Sequence, residues 1–259
     1  MPQLNPAAEL PAAHAARLSD PRTTTAPGTV TVFSDIWCSF AHAGLYRLHR
    51  TRERLGLADR VLIDHRAFPL EMFNGGPSPR RGTDSEVGGI ARIEPDAGWQ
   101  MWRAEDWRFP STSLFALEAV QLAKEQGLRA SERLDLALRR AFWAHSRPVG
   151  SRSEVIAIAR ETSGVSEELI EQGLDDGRAR RLVTLDFECA RRHEVRCSPH
   201  AFVSGGAEWA NPGIEATWHG SYGTGFPEVT GDEPDAWEAV LRAAADTSSP
   251  SVTPPVPHT

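Results

Sequence analysis

Three cysteines and nine histidines are spread over the 259 residues, and two short stretches place them where sulfur chemistry is possible. In "SDIWCSFAHAG", residues 34–44, Cys38 stands where an apolar run breaks and a helical pattern begins near Ser39. Unpaired backbone N–H groups at a helix start favour a thiolate, so a cysteine there is expected to ionise below its free value of about 8.5. His42 follows one helical turn later on the same side, where as imidazolium it would stabilise that thiolate further. The structural alternative is a small buried cysteine beside an unrelated histidine.

The second stretch is "VRCSPHAFVSGG", residues 195–206. A Ser198-Pro199 step directly before a β-type run suits a strand start, since proline cannot donate to a sheet ladder; a cis bond is one way to turn the chain there, and a plain trans turn is the other. Cys197 and His200 flank this step. Cys38, His42, Cys197 and His200 would offer up to four ligands to zinc or iron if the two stretches met. Cys197 is also a candidate resolving thiol for Cys38, whereas Cys189, inside a long helical pattern, reads as an inert packed residue.

These residues need elements to hold them. "TVTVFSD" reads as a buried strand, and "SFAHAGLYRLHRTRERLG" as a helix with Leu45, Leu48 and Leu55 on one face and Gly56 at its end. "RVLIDHRAF" reads as a second strand completing a βαβ unit, on which alternation lets only one of His65 and Arg66 face the core. From Pro69 to about Pro110 the pattern is irregular, which predicts a long loop. Trp99, Trp102 and Trp107 there either line an apolar cleft or pack an insertion onto its partner.

Four helical patterns follow: 111–127, 131–146, 151–164 and 166–194. The first, second and fourth start with a capping serine, and Gly127 and Gly164 are natural stops. "HAFVSGG" and "EATWHG" return to strands, and "DEPDAWEAVLRAAADT" closes the body as a helix. Asp35 is expected to cap the helix after Cys38 or to modulate proton transfer. The segments 1–29 and 247–259, rich in proline and small polar residues, are expected to be flexible.

The order β-α-β, helical block, β-β-α, with a thiol at the first helix start and a proline-led return, resembles the DsbA-type thioredoxin-fold family. The likeness extends to its FrnE-like and 2-hydroxychromene-2-carboxylate isomerase-like branches and runs from about Thr31 to Ala245. It implies an α/β thioredoxin fold with an inserted α-helical subdomain: residues 30–68 and 195–246 form a discontinuous thioredoxin-like domain, and 69–194 a loop plus helical insertion. "SDIWCSFAHAG" looks like the family's active-site turn, with Cys38 as nucleophile, Ser39 and Phe40 between the usual two thiols, and Gly44 as a packing glycine. "CSPHAFVSGG" looks like its cis-proline loop, with Ser198 and Pro199 against Cys38. Ala41 stands where dithiol members carry a second cysteine, so the usual intramolecular resolution is not open to this motif.

Three functions follow from that departure. Cys38 works as a monothiol whose mixed disulfides are resolved by a low-molecular-weight thiol. Alternatively it binds such a thiol as cosubstrate, in the manner of the isomerase and kappa-class glutathione transferase branches, where serine holds this position. The third is a non-catalytic module that binds a metal or a partner. No tightly bound cofactor is expected, and the metal set is the weakest of the three. A net charge of −7 disfavours a surface built for nucleic acid or anionic membrane. The absence of a long apolar run and the few, odd-numbered cysteines make the cytoplasm the expected location. The oligomeric state is not readable from these residues.

Overall fold

Every residue from Thr29 to Ser34 is buried, as an apolar β-branched run must be when both faces of its strand are covered. This strand, β1, is central in a computed structural model that describes residues 12–221 and 223–247. The elements run α1 (Ala12–Arg17), α2 (Pro21–Thr24), β1 (Thr29–Ser34), α3 (Ser39–Arg54), β2 (Leu62–Ala67), α4 (Leu70–Phe73) and α5 (Arg80–Ile90). Then come α6 (Leu114–Ala123), α7 (Leu128–His145), α8 (Arg152–Glu161), α9 (Glu167–Asp176) and α10 (Arg178–Arg192). The chain ends with β3 (His200–Val203), β4 (Glu208–Ala210), β5 (Ile214–His219), β6 (Phe226–Asp232) and α11 (Ala236–Thr247).

The main sheet has the order β2-β1-β3-β4. β1 pairs with β2 in parallel and with β3 antiparallel, so that Val32 faces both His65 and Ala201 in register. α3 and α11 cover one face: Leu45 and Leu48 pack with Val30, Val32, Ile63, Trp237, Val240 and Leu241, all buried. Gly56 ends the α3 segment at φ +65°. α6–α9, with the first turns of α10, have a core of their own around Leu117, Leu134, Leu138, Phe142 and Ile170, and Ile36 and Trp37 reach into it from the turn after β1. This is a DsbA-like thioredoxin fold with a helical insertion.

Buried ion pairs lock the helices to the sheet. Asp186 of α10 accepts from Arg17 at 2.5 Å, from Arg66 and from the Ala67 amide. Glu132 of α7 accepts from Arg52 at 2.7 Å and from the Ile63 amide at 2.9 Å. Charges this deep are tolerated because each is paired and hydrogen-bonded, and they fix which helix meets which strand.

The structure differs from the sequence reading in several places. Residues 12–24, expected to be flexible, form α1 and α2, because Arg17 is drawn to Asp186 and Pro21 is buried; residues 1–11 and 248–259 lie outside the described residues. The stretch read as a loop contains α5, whose helical pattern is hidden by Gly82, Gly88 and Gly89. The helix expected over 166–194 is two, since Gly177 takes φ +71° between α9 and α10. Ser166 caps α9 through the Leu169 amide, whereas α6 and α7 start after Ser113 and Gly127 rather than Ser111 and Ser131. β4 and β6 escape notice because one has three residues and the other contains Pro227 and Gly231. β5 belongs with β6 in a separate hairpin sheet.

Candidate active site

β1 ends at Ser34, and the chain turns through Asp35, Ile36 and Trp37 to Cys38, which is the N-cap of α3. Its sulfur accepts from the Ala41 amide at 3.4 Å. A shorter contact lies on the other side: the Cys38 thiol donates to the Ser198 carbonyl oxygen at 2.9 Å. The Asp35 amide donates to the Ser198 hydroxyl at 2.9 Å, so Ser198 holds the thiol turn at two points. The Ser198–Pro199 peptide bond is cis. Gly44 leaves room for Pro199: a Cβ there would stand 3.2 Å from the proline ring and 3.5 Å from Trp237.

The electrostatics run against the expected thiolate. Cys38 is buried, and burial, followed by the nearby carboxylates of Glu86 and Asp35, pushes its thiol up to about 12 despite the helix start. The resting group is therefore a neutral thiol. His42 does not act as an imidazolium. Its ring lies edge-on to Trp99 at 4.5 Å and stacked on Trp143 at 5.8 Å, with Nε2 3.1 Å from the Gly98 carbonyl, and burial drives it down to about 3. Helical spacing put His42 on the right side of the chain, but the insertion packs an aromatic wall there.

Ser39 is buried, and its hydroxyl donates to Glu86 Oε2 at 2.7 Å. Phe40 packs beside Ala43, Ile90 and Ile214, joining α3 to α5 and the hairpin. Asp35 does not cap α3. Its carboxylate accepts from the Trp37 amide at 2.9 Å, the Leu70 amide at 2.7 Å and the Ser113 hydroxyl at 3.1 Å, and burial raises it to about 6. It ties the turn to α4 and to the start of α6.

The proposed metal set does not converge. His200 is buried, stacked on Phe202, and accepts the Arg196 amide at Nδ1. Among the described residues no three His, Cys, Asp or Glu side chains are placed to hold a metal ion. Cys197 donates to the Pro199 carbonyl at 3.3 Å and Cys189 to the Ser19 carbonyl at 3.4 Å, and all three cysteines are free. Trp102 is buried and Trp99 half-buried against the helical core, whereas Trp107 is exposed.

Two site residues were missed. Glu86 lies in the segment read as loop. Arg139 of α7 is fully buried and donates to the Asp35 carbonyl at 2.7 Å, the Ser34 hydroxyl at 2.8 Å and Asp135 at 2.8 Å. The Asp135–Arg139 spacing of four on the helix was the signal for the second.

A thiol at a strand-to-helix turn against a proline-led strand, with helices inserted between the two halves, decides the family. A model of the DSBA-like thioredoxin domain matches residues 29–221. The chain belongs to that family. Among solved structures it is similar to a probable DsbA oxidoreductase from Streptomyces coelicolor, at 20% identity and a TM-score of 0.57 over 89% of this chain and 93% of that one. It is also similar to a candidate protein disulfide isomerase from Nitrosomonas europaea, at 13% identity and a TM-score of 0.53 over 86% and 97%. No curated protein matches it. Among the described residues no helix is long and apolar enough to cross a membrane.

Proposed function

We propose that this DSBA-like protein is a thiol-disulfide oxidoreductase that works through Cys38 alone. The observation that carries this is the placement of one sulfur against the Ser198 carbonyl that precedes Pro199, with the Ala41 methyl where a second thiol would stand. The Cys38 thiolate attacks one sulfur of a disulfide; the new Cys38 mixed disulfide forms and the other sulfur leaves as a thiolate. A low-molecular-weight thiolate then attacks the mixed disulfide, restoring Cys38 and leaving as the new disulfide. Ser39, Phe40, Ser198 and Pro199 shape the opening, and His42 serves as an aromatic-packed support rather than as a charge. Such a cycle depends on a supply of reduced small thiol, which suits a reducing compartment such as the cytoplasm.

One observation favours a second reading. A thiol held neutral and already donating a hydrogen bond can transfer that donor to the sulfur of a bound small thiol, stabilising the thiolate of the cosubstrate. Serine does this in the isomerase and kappa-class branches that the sequence resembles, and Cys38 would take its place.

Alkylation rate against pH and exposure to oxidised small thiols, for the intact protein beside Cys38→Ser, separate the readings by mass spectrometry. A mixed disulfide confined to Cys38 and removed by reduced thiol supports the monothiol cycle. No adduct at any pH, with small-thiol ionisation promoted equally by the protein and by Cys38→Ser, overturns it in favour of the cosubstrate reading.

A further inference from the structure

A carboxylate from another element stands at the start of α3, next to the thiol. Glu86 reaches from α5 to accept the Ser39 hydroxyl at 2.7 Å, and the Ser39 amide also holds its charged form. Ser39 is the residue after Cys38 and the first of α3. Glu86 thus takes for its own charge part of the field that would otherwise favour a Cys38 thiolate.

The hairpin of β5 and β6 keeps α5 in place. The Ser85 hydroxyl donates to the Gly225 carbonyl at 2.7 Å. Gly82 and Gly89 approach Gly223 and Pro227 so closely that a Cβ would stand 3.0 and 2.5 Å from their backbones. Several charged groups on the surrounding elements are engaged elsewhere. Arg80 pairs with Asp84 and Asp106, Arg47 of α3 with Glu94 and Asp232, and Glu228 of β6 with His219; Arg92 donates to the Val229 carbonyl. Asp35, the other acid near the sulfur, is held by three donors of its own. Among the described residues Glu86 is held by Ser39.

We propose that Glu86 is a positioning residue that restrains the ionisation of Cys38: its carboxylate charge, held at the first residue of α3, adds to the burial that keeps the proton on sulfur, and removing that charge lets the thiolate form at a lower pH. A negative charge on either of the two groups disfavours one on the other. They therefore titrate as a pair. Burial lifts Glu86 to about 7, so it is charged throughout the higher range in which the thiol ionises. The proposal rests on Cys38 being the reactive thiol and extends that reading to its control.

The test follows iodoacetamide alkylation and far-ultraviolet thiolate absorbance against pH in the whole protein, in Glu86→Gln and in Glu86→Asp. Glu86→Gln keeps an acceptor for Ser39 and removes the charge. Its profile should move down by about one pH unit, with alkylation at about pH 9, where Glu86 is charged in the unmodified protein, about tenfold faster. Glu86→Asp retains the charge and should keep the slow profile. Unmoved absorbance in Glu86→Gln overturns the proposal, and so does a Glu86→Asp profile as shifted as that of Glu86→Gln, which would point to packing alone. Because the readout is ionisation, a shifted profile without disulfide exchange sinks the oxidoreductase reading and leaves this one standing; exchange with an unshifted profile does the reverse.

Discussion

Arg139, in the middle of α7, donates to the carbonyl oxygen of Asp35 at 2.7 Å, at the turn that leads to Cys38. The helical insertion therefore reaches under the active-site turn. Replacing Arg139 with Met strips the partner from the buried Asp135 and leaves the Asp35 carbonyl and Ser34 hydroxyl short of a donor. The expected loss is about 3–5 kcal/mol of stability, measured by urea unfolding. Arg139→Lys, which retains the charge but not the fork, should lose less.

Gly44 faces Pro199 and Trp237 with no side chain between. Gly44→Val would place methyl groups within both contacts, at a cost of about 1–3 kcal/mol for the overpacking. The proline loop would be pushed from the thiol, so Cys38 should alkylate faster at a fixed pH than in the unmodified protein. Thermal unfolding and thiol labelling on the same sample check both expectations.

Ala41 is fully buried and its amide faces the Cys38 sulfur. Ala41→Cys would supply the missing second thiol. On oxidation the pair should close a 38–41 disulfide, visible as the loss of two free thiols in the unfolded, alkylated protein. Turnover of a disulfide substrate should then become independent of added small thiol. Unchanged dependence on small thiol would argue against the monothiol cycle.

Acid should draw stability from the fold through its buried histidines, while Asp35 and Glu86, raised by burial, act in the opposite sense. His42 and His49 are both pushed down to about 3 by burial, and His200 to about 4, whereas an unfolded histidine titrates near 6.5. Between those limits the unfolded chain binds protons that the native histidines refuse, so their share of the stability is fully present above about pH 6.5 and is lost as pH falls toward the native values. Each histidine contributes up to about 1.4 kcal/mol per pH unit in that window. His42→Leu should remove one such share from the slope of unfolding free energy against pH.

What the sequence announced and what it hid divide along a physical line. β1, α3, β2, β3 and α11 were readable because each buries a regular apolar pattern against one sheet; Cys38 followed from its place at the start of α3, whereas Gly44 and the approach of Ser198 and Pro199 to the thiol came from the resemblance to the DsbA family. The failures lie where contact comes from elsewhere. Helical spacing gave His42 a position but not the tryptophans that surround it, and the helix start promised a thiolate without revealing burial or the charges of Glu86 and Asp35. α5 was obscured by its glycines, although the close approach to the hairpin requires small residues at Gly82 and Gly89. Gly177 interrupted what periodicity alone continued.

The bond between Cys38 and Ser198 joins residues 160 positions apart, with the helical insertion, and its own core, spelled out in between. Contacts inside that insertion are near in sequence and can form as soon as its helices exist. The thiol's carbonyl partner is made only after all of them, and β3 must then slot beside β1. Closure of the sulfur is consequently among the last events in the order of synthesis, and a newly made chain carries Cys38 uncovered for as long as it takes to build everything up to Pro199.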